Sequence, residues 1–138
     1  MSFAQQAPAL IVILPLLTAL LVFAASFDRG SWPSLIGDEA TYLMAAESLA
    51  WDQDLSYSAA DYKRFKEHWG KAPEGLILQG GRSAEDLTFG KPFFYPLSLS
   101  PFLRLSPTHG PFLANAILLA VAALLAFRAL VARHGPNA

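Results

Sequence analysis

The amino-acid sequence predicts a mainly α-helical membrane protein: two transmembrane helices flanking a large outer loop that holds amphipathic interfacial helices and a short hairpin. Three observations lead there. Of 138 residues, 54% are hydrophobic and the mean hydropathy is +0.36, above the apolar share of an ordinary soluble domain. Charge is confined to the middle: all 11 acidic residues lie between Asp28 and Asp86, and eight of the ten basic residues between Arg29 and Arg104. The two nearly uncharged ends carry apolar runs close to the roughly 20 residues that a span requires. A net charge of −1 with no basic run gives no case for nucleic acid. With no cysteine there is neither a disulfide nor a thiolate metal site.

After a tail at 1–6, residues 7–27 (APALIVILPLLTALLVFAASF) are 21 positions without a charge and predict the first span. Pro8 and Pro15 are tolerable in lipid where neighbouring groups satisfy the freed carbonyls. A cleaved signal peptide competes, with Ala24-Ala25-Ser26 as its cleavage site. The n-region MSFAQQA has no Lys or Arg and the run is long, which favours the span. Pro111 to Phe127 is a second apolar run, slightly short unless Arg128 reaches back to the headgroups, and the second transmembrane helix is expected at 111–131. Arg128 and Arg133 flank it while the N-terminal tail has no charged side chain, which places both tails (1–6 and 132–138) in the cytoplasm and loop 28–110 outside the cytoplasmic membrane.

Within the loop, Gly37 precedes a helix running from Asp38 to about Trp51. Asp38 is its N-cap or first-turn residue, and Asp38 and Glu39 suit the positive end of the helix dipole. Asp38, Tyr42, Ala45 and Leu49 share one face, and Glu39 points elsewhere, near Leu43 and Ala46. Asp52-Gln53-Asp54-Leu55 reads as a turn in preference to a metal site. No cofactor is implied, and the sequence neither indicates nor rules out a divalent cation.

Ser58 to Trp69 is amphipathic, with Tyr62, Phe65 and Trp69 in one stripe and Lys63, Arg64 and Lys66 as basic shoulders. That pattern suits a helix in the headgroup plane, with Lys63 and Arg64 as candidates to meet a lipid phosphate. An ordinary surface helix is the competing reading. Leu76–Leu78 and Leu87–Phe89 flank a Gly80-Gly81 turn and predict a hairpin. Gly80-Gly81-Arg82 lacks the spacing of a phosphate-binding loop. His68, His109 and His134 show no pairing at ligand spacing. Phe93 to Leu105, broken by Pro96 and Pro101, is too short to cross and reads either as an interfacial or re-entrant segment or as a loop packed on the domain.

Two stretches together carry a likeness. GDEATYLMAAESLAWDQDL (Gly37, Asp38, Glu39, Tyr42, Ser48, Leu49, Asp52 to Leu55) resembles the first outer loop of bacterial GT-C glycosyltransferases related to the protein O-mannosyltransferases and the aminoarabinose–lipid A transferases. FGKPFFYPLSLSPFLRL, with Gly90-Lys91-Pro92 and Tyr95-Pro96, resembles that family's second cluster, and HGPFLANAILLAVAALL resembles its second span, Asn115 included. The resemblance implies a multi-pass enzyme that transfers a sugar from a polyprenyl-phosphate donor to an acceptor on the outer face. It implies Asp38 as general base with Glu39 in support, and Tyr42, Lys91 and Tyr95 as matched substrate-side positions. The family has many more spans than two, so the resemblance implies an N-terminal part, inactive alone, whose remaining helices lie elsewhere, for instance on another chain. A small two-span membrane protein with a partner-binding or scaffolding loop is the alternative. A cleaved, exported soluble domain is a third reading.

Overall fold

The computed structural model describes residues 3–26, 35–80 and 86–134, with side chains described for these except 3–13, 24 and 134. The expected tails at 1–2 and 135–138, the approach through Trp32-Pro33 and the tip of the hairpin at 81–85 lie outside the described residues. The elements are α1 (Phe3–Ser26), α2 (Asp38–Trp51), β1 (Ser56–Tyr57), α3 (Ala59–Trp69), β2 (Leu78–Gly80), β3 (Leu87–Phe89), α4 (Phe94–Leu105) and α5 (Gly110–His134). The chain divides into two units, 1–27 with 112–138, and 28–111.

The first unit is α1 and most of α5. α5 is the one helix among the described residues long and apolar enough to cross a membrane, and the apolar stretch found in α1, Leu14–Phe23, is shorter. Thr18 turns its hydroxyl onto the Leu14 carbonyl (2.8 Å), so its polar group makes no outward demand. Phe23 meets Phe112 edge-on at 6.4 Å. A cleft of about 160 Å³ beside them is lined by Leu20, Phe23, Phe112, Asn115, Ala116 and Leu119.

The second unit is built on α2. Nine of its 14 residues are buried, four of them alanines, so neighbours approach its backbone closely. α4 and α3 both pack against it. α3 begins where expected because Ser58 and Asp61 form a reciprocal cap: the Ser58 hydroxyl accepts from the Asp61 N–H (3.3 Å), and Asp61 Oδ2 accepts from the Ser58 N–H (2.8 Å). Gly70, at φ 72°, ends it.

The aromatic stripe of α3 corrects the expectation of an interfacial helix. Phe65 is fully buried and Trp69 is 4% exposed, while Tyr62 is half-exposed. The stripe faces inward, where Trp69 donates to Glu47 of α2 (3.0 Å). An apolar stripe is satisfied equally by lipid or by a protein neighbour, and here the neighbour is α2.

The hairpin forms, with its first strand two residues later than expected: β2 pairs with β3 antiparallel, Leu78 opposite Phe89 and Gly80 opposite Leu87. Gly80 therefore belongs to the strand and not to the turn. Its partner on the other edge is β1, which pairs Ser56 with Thr88 and gives the order β1-β3-β2. Two residues are too few for any periodic signal, so sequence patterning does not find β1.

Within Phe93–Leu105 the chain forms not a loop but a 12-residue helix, α4, from Phe94 to Leu105. Its length of about 18 Å falls short of a bilayer core. Pro96 sits in the first turn, where no N–H is needed. Pro101 is internal and cannot donate to the Leu97 carbonyl, and the Ser100 hydroxyl donates there instead (3.0 Å). Pro96, Leu99 and Leu103 are buried. Arg104 Nε donates to the Ala50 carbonyl near the end of α2, tying α4 to it. Gly110 opens α5 directly on α4: a Cβ there would collide with the Phe102 carbonyl.

Candidate functional site

Two glycine elbows build the site. Gly37 precedes α2 at φ 61° and ψ −119°, a conformation essentially reserved for glycine. Its N–H donates to the Glu74 carbonyl (2.8 Å), and the Glu74 N–H donates back to Leu35 (3.2 Å). Thr41 locks the elbow from inside the helix. Its hydroxyl donates to the Gly37 carbonyl (2.7 Å) and accepts from the Ile77 N–H (3.0 Å). The second elbow is Gly90, after β3. Its N–H donates to Ile77 (2.8 Å), and a Cβ would lie 2.9 Å from the Gln79 side chain and 3.1 Å from the Ile77 carbonyl.

Because its backbone demand is local, Gly37→Ala is expected to destabilise the second unit by about 1–3 kcal/mol although no atom lies within 4 Å of the added Cβ. Amide exchange at the start of α2 measures it. Wild-type protection would show that the elbow relaxes without cost.

The elbows bring two distant motifs together. Lys91 Nζ lies 2.7 Å from Asp38 Oδ1, and the Lys91 side chain is 22% exposed against 62% for Asp38. One turn along α2, the ring of Tyr42 meets that of Tyr95 edge-on, 5.5 Å between centroids. Asp38 and Tyr42 are four residues apart, as are Lys91 and Tyr95, so a charged pair and an aromatic pair form adjacent layers. Asp38 does not cap: Gly37 is the N-cap, and no side-chain capping bond forms. Glu39 is exposed and has no ion pair among the described residues.

Lys63 and Arg64, the other expected substrate contacts, are engaged elsewhere. Lys63 is exposed and pairs loosely with Glu67 at 3.9 Å. Arg64 forks onto both oxygens of Asp52, bonds Asp61, and lies over the Trp51 ring at 5.7 Å. Its hydrogen bond is the main reason that the Asp52 carboxyl is held below its usual range. The Asp52–Leu55 segment is the turn expected: Asp54 Oδ1 accepts from Ser48 Oγ (3.1 Å) and from the Ser56 N–H (2.8 Å). Among the described residues, no three His, Asp or Glu side chains gather as a metal site.

Sequence patterning missed Glu47. It is 1% exposed inside α2, and its Oε1 lies 3.0 Å from both Trp69 Nε1 and His68 Nδ1. Oε2 has no hydrogen-bond partner among the described residues. The only clue was an acid alone in a run of small residues, and its partners are 21 and 22 positions away. Burial raises the Glu47 carboxyl above its ordinary 4.5, opposed by the His68 and Trp69 contacts. The folded state therefore holds this proton more tightly than the unfolded chain. Its contribution to stability is complete below the ordinary value of 4.5 and is lost as pH rises through the raised one. Exchange protection of α2 in wild type relative to Glu47→Gln is expected to fall across that window. A constant ratio would contradict it.

No protein-family model matches this chain, and comparison with curated proteins and with solved structures finds no match either.

Proposed function

We propose that the chain is the N-terminal part of a polytopic membrane glycosyltransferase, which moves a sugar from a polyprenyl-phosphate donor to an acceptor on the outer face of the cytoplasmic membrane. In this reading α1 and α5 are both spans, and the second unit stands outside. The observation that carries it is the 2.7 Å contact between Asp38 and Lys91, which joins the two motifs on which the resemblance rests.

The chemistry fits the parts. Asp38, as general base, takes the proton of an acceptor hydroxyl. The hydroxyl oxygen attacks the anomeric carbon, and the bond from that carbon to the phosphate oxygen breaks. The phosphate leaves with the electron pair, and the Lys91 ammonium offers it a counter-charge. The paired rings of Tyr42 and Tyr95 form a wall for the sugar, and Glu39 is a second carboxylate to orient it. Asp38 is 62% exposed, so the cluster is open to water, and the further helices of the enzyme close it for transfer.

Membranes of the native host, supplied with radiolabelled polyprenyl-phosphate sugar, test the reading. Label is expected to reach a lipid, glycan or protein acceptor with the wild-type chain and not with Asp38→Asn. Equal labelling with both would overturn the catalytic assignment.

A further inference from the structure

α4 is apolar on two opposite sides. At about 100° per residue, Pro96, Leu99 and Leu103 share the side that packs inward. Phe94, Leu97, Pro101 and Leu105 share the opposite side and are all exposed, Phe94 to 74%, Leu97 to 49% and Leu105 to 75%. Phe93 extends this stripe by stacking on Phe94 at 4.4 Å. Two of its polar side chains are satisfied by the helix itself. The Ser98 and Ser100 hydroxyls are turned onto the carbonyls of Tyr95 (2.7 Å) and Leu97 (3.0 Å). The one charged residue of α4, Arg104, reaches back to Ala50 of α2. A bare apolar stripe of about three turns marks a contact surface.

We propose that this stripe lies in the bilayer itself, with Phe94, Leu97, Pro101 and Leu105 sunk at the boundary of headgroups and acyl chains. The chain supplies the reason for choosing lipid. Only Ser106 to His109 separate α4 from α5, a reach of at most about 14 Å, and Gly110 rests on the Phe102 carbonyl. α5 runs without a charge from Pro111 to Phe127. A helix that enters hydrocarbon at Pro111 starts at headgroup level, and α4 touches that start. The inference rests on the reading of α5 as a span. Arg104, exposed beside Leu97 at the border of the stripe, is its one cation, so insertion is driven chiefly by apolar burial and not by anionic lipid.

Depth at the candidate site follows. α2 packs on the inward side of α4, and packed helices lie about 8–10 Å apart. α2 therefore stands one helix layer above the acyl boundary. Asp38 and Lys91 lie among headgroups and water, where they meet the polar end of a lipid and not its chain.

The chain has no cysteine, so single spin labels are clean. Leu97→Cys, Leu105→Cys, Lys63→Cys and, within α5, Leu118→Cys are labelled in the full chain and reconstituted into phosphatidylcholine vesicles. Collision with oxygen, which concentrates in lipid, is compared with collision with a water-soluble nickel chelate. At Leu97 and Leu105 oxygen is expected to exceed the chelate at least twofold, as at Leu118, with the reverse at Lys63. Adding phosphatidylglycerol is expected to change nothing. Chelate-dominated labels at Leu97 and Leu105, labels shielded from both reagents, or dipolar broadening from a second copy would overturn the inference while Leu118 still reports lipid. A chelate-dominated Leu118 would instead remove the membrane reading of α5, and the inference with it.

Discussion

Asp38→Asn is expected to cut sugar transfer about 10²–10⁴-fold, the usual contribution of a positioned general base, with the fold intact. Asparagine keeps the size and the first-turn position, and Gly37 and Thr41 fix the helix start independently of this side chain. The Lys91 pair that is lost is largely exposed on the Asp38 side, which limits its structural worth to less than about 1 kcal/mol. Lys91→Met is expected to lower kcat more than it raises the donor KM, because its proposed role is to offset charge that develops on the leaving phosphate. In the double variant the losses do not add, since the residues act on one bond-breaking step. Initial rates with labelled donor measure all four corners. Wild-type transfer by both single variants would reduce the pair to a surface ion pair.

Phe65→Ala is expected to destabilise the second unit by about 3–5 kcal/mol, the cost of removing a buried ring. Phe65 is fully buried and packs at 6.0 Å, centroid to centroid, on Trp69, whose indole donates to Glu47. Amide protection in α2 and α3 should fall by about two to four powers of ten. Tyr62→Ala, on the half-exposed end of the same stripe, should cost less than about 1 kcal/mol. A ring seated in lipid would behave differently, weakening vesicle contact and leaving exchange unchanged.

These residues also show what the sequence discloses. The bounds of α2 were readable because glycine before two acids and an Asp-rich turn are local signals acting on adjacent backbone. The hairpin was readable for the same reason, and its register was not, because pairing depends on both strands. The direction of the Tyr62, Phe65 and Trp69 stripe was not readable at all. Three aromatics at helical spacing record that something apolar covers them and leave open whether it is protein or lipid. Of the candidate site, each motif was visible alone, but the contact across 53 positions between Asp38 and Lys91 depends on packing. Glu47 stayed hidden because nothing nearby in sequence marks its partners, and Arg64 looked available because the acids that hold it lie on a turn and on its own helix.

Residues 74–77 contribute no side chain to the cluster, yet both elbows hang from them: Gly37 from the Glu74 carbonyl and Gly90 from that of Ile77. This stretch acts as a ruler. Its three-residue step, bent at Gly75 (φ 62°), sets how far apart the acid and the amine are held. Connecting segments ordinarily absorb insertions freely. Here one residue gained or lost would displace one elbow from the other by about 3.3 Å, more than the whole 2.7 Å contact between Lys91 and Asp38. The length of this segment is therefore constrained, as is its composition at Gly75, whose φ of 62° favours glycine.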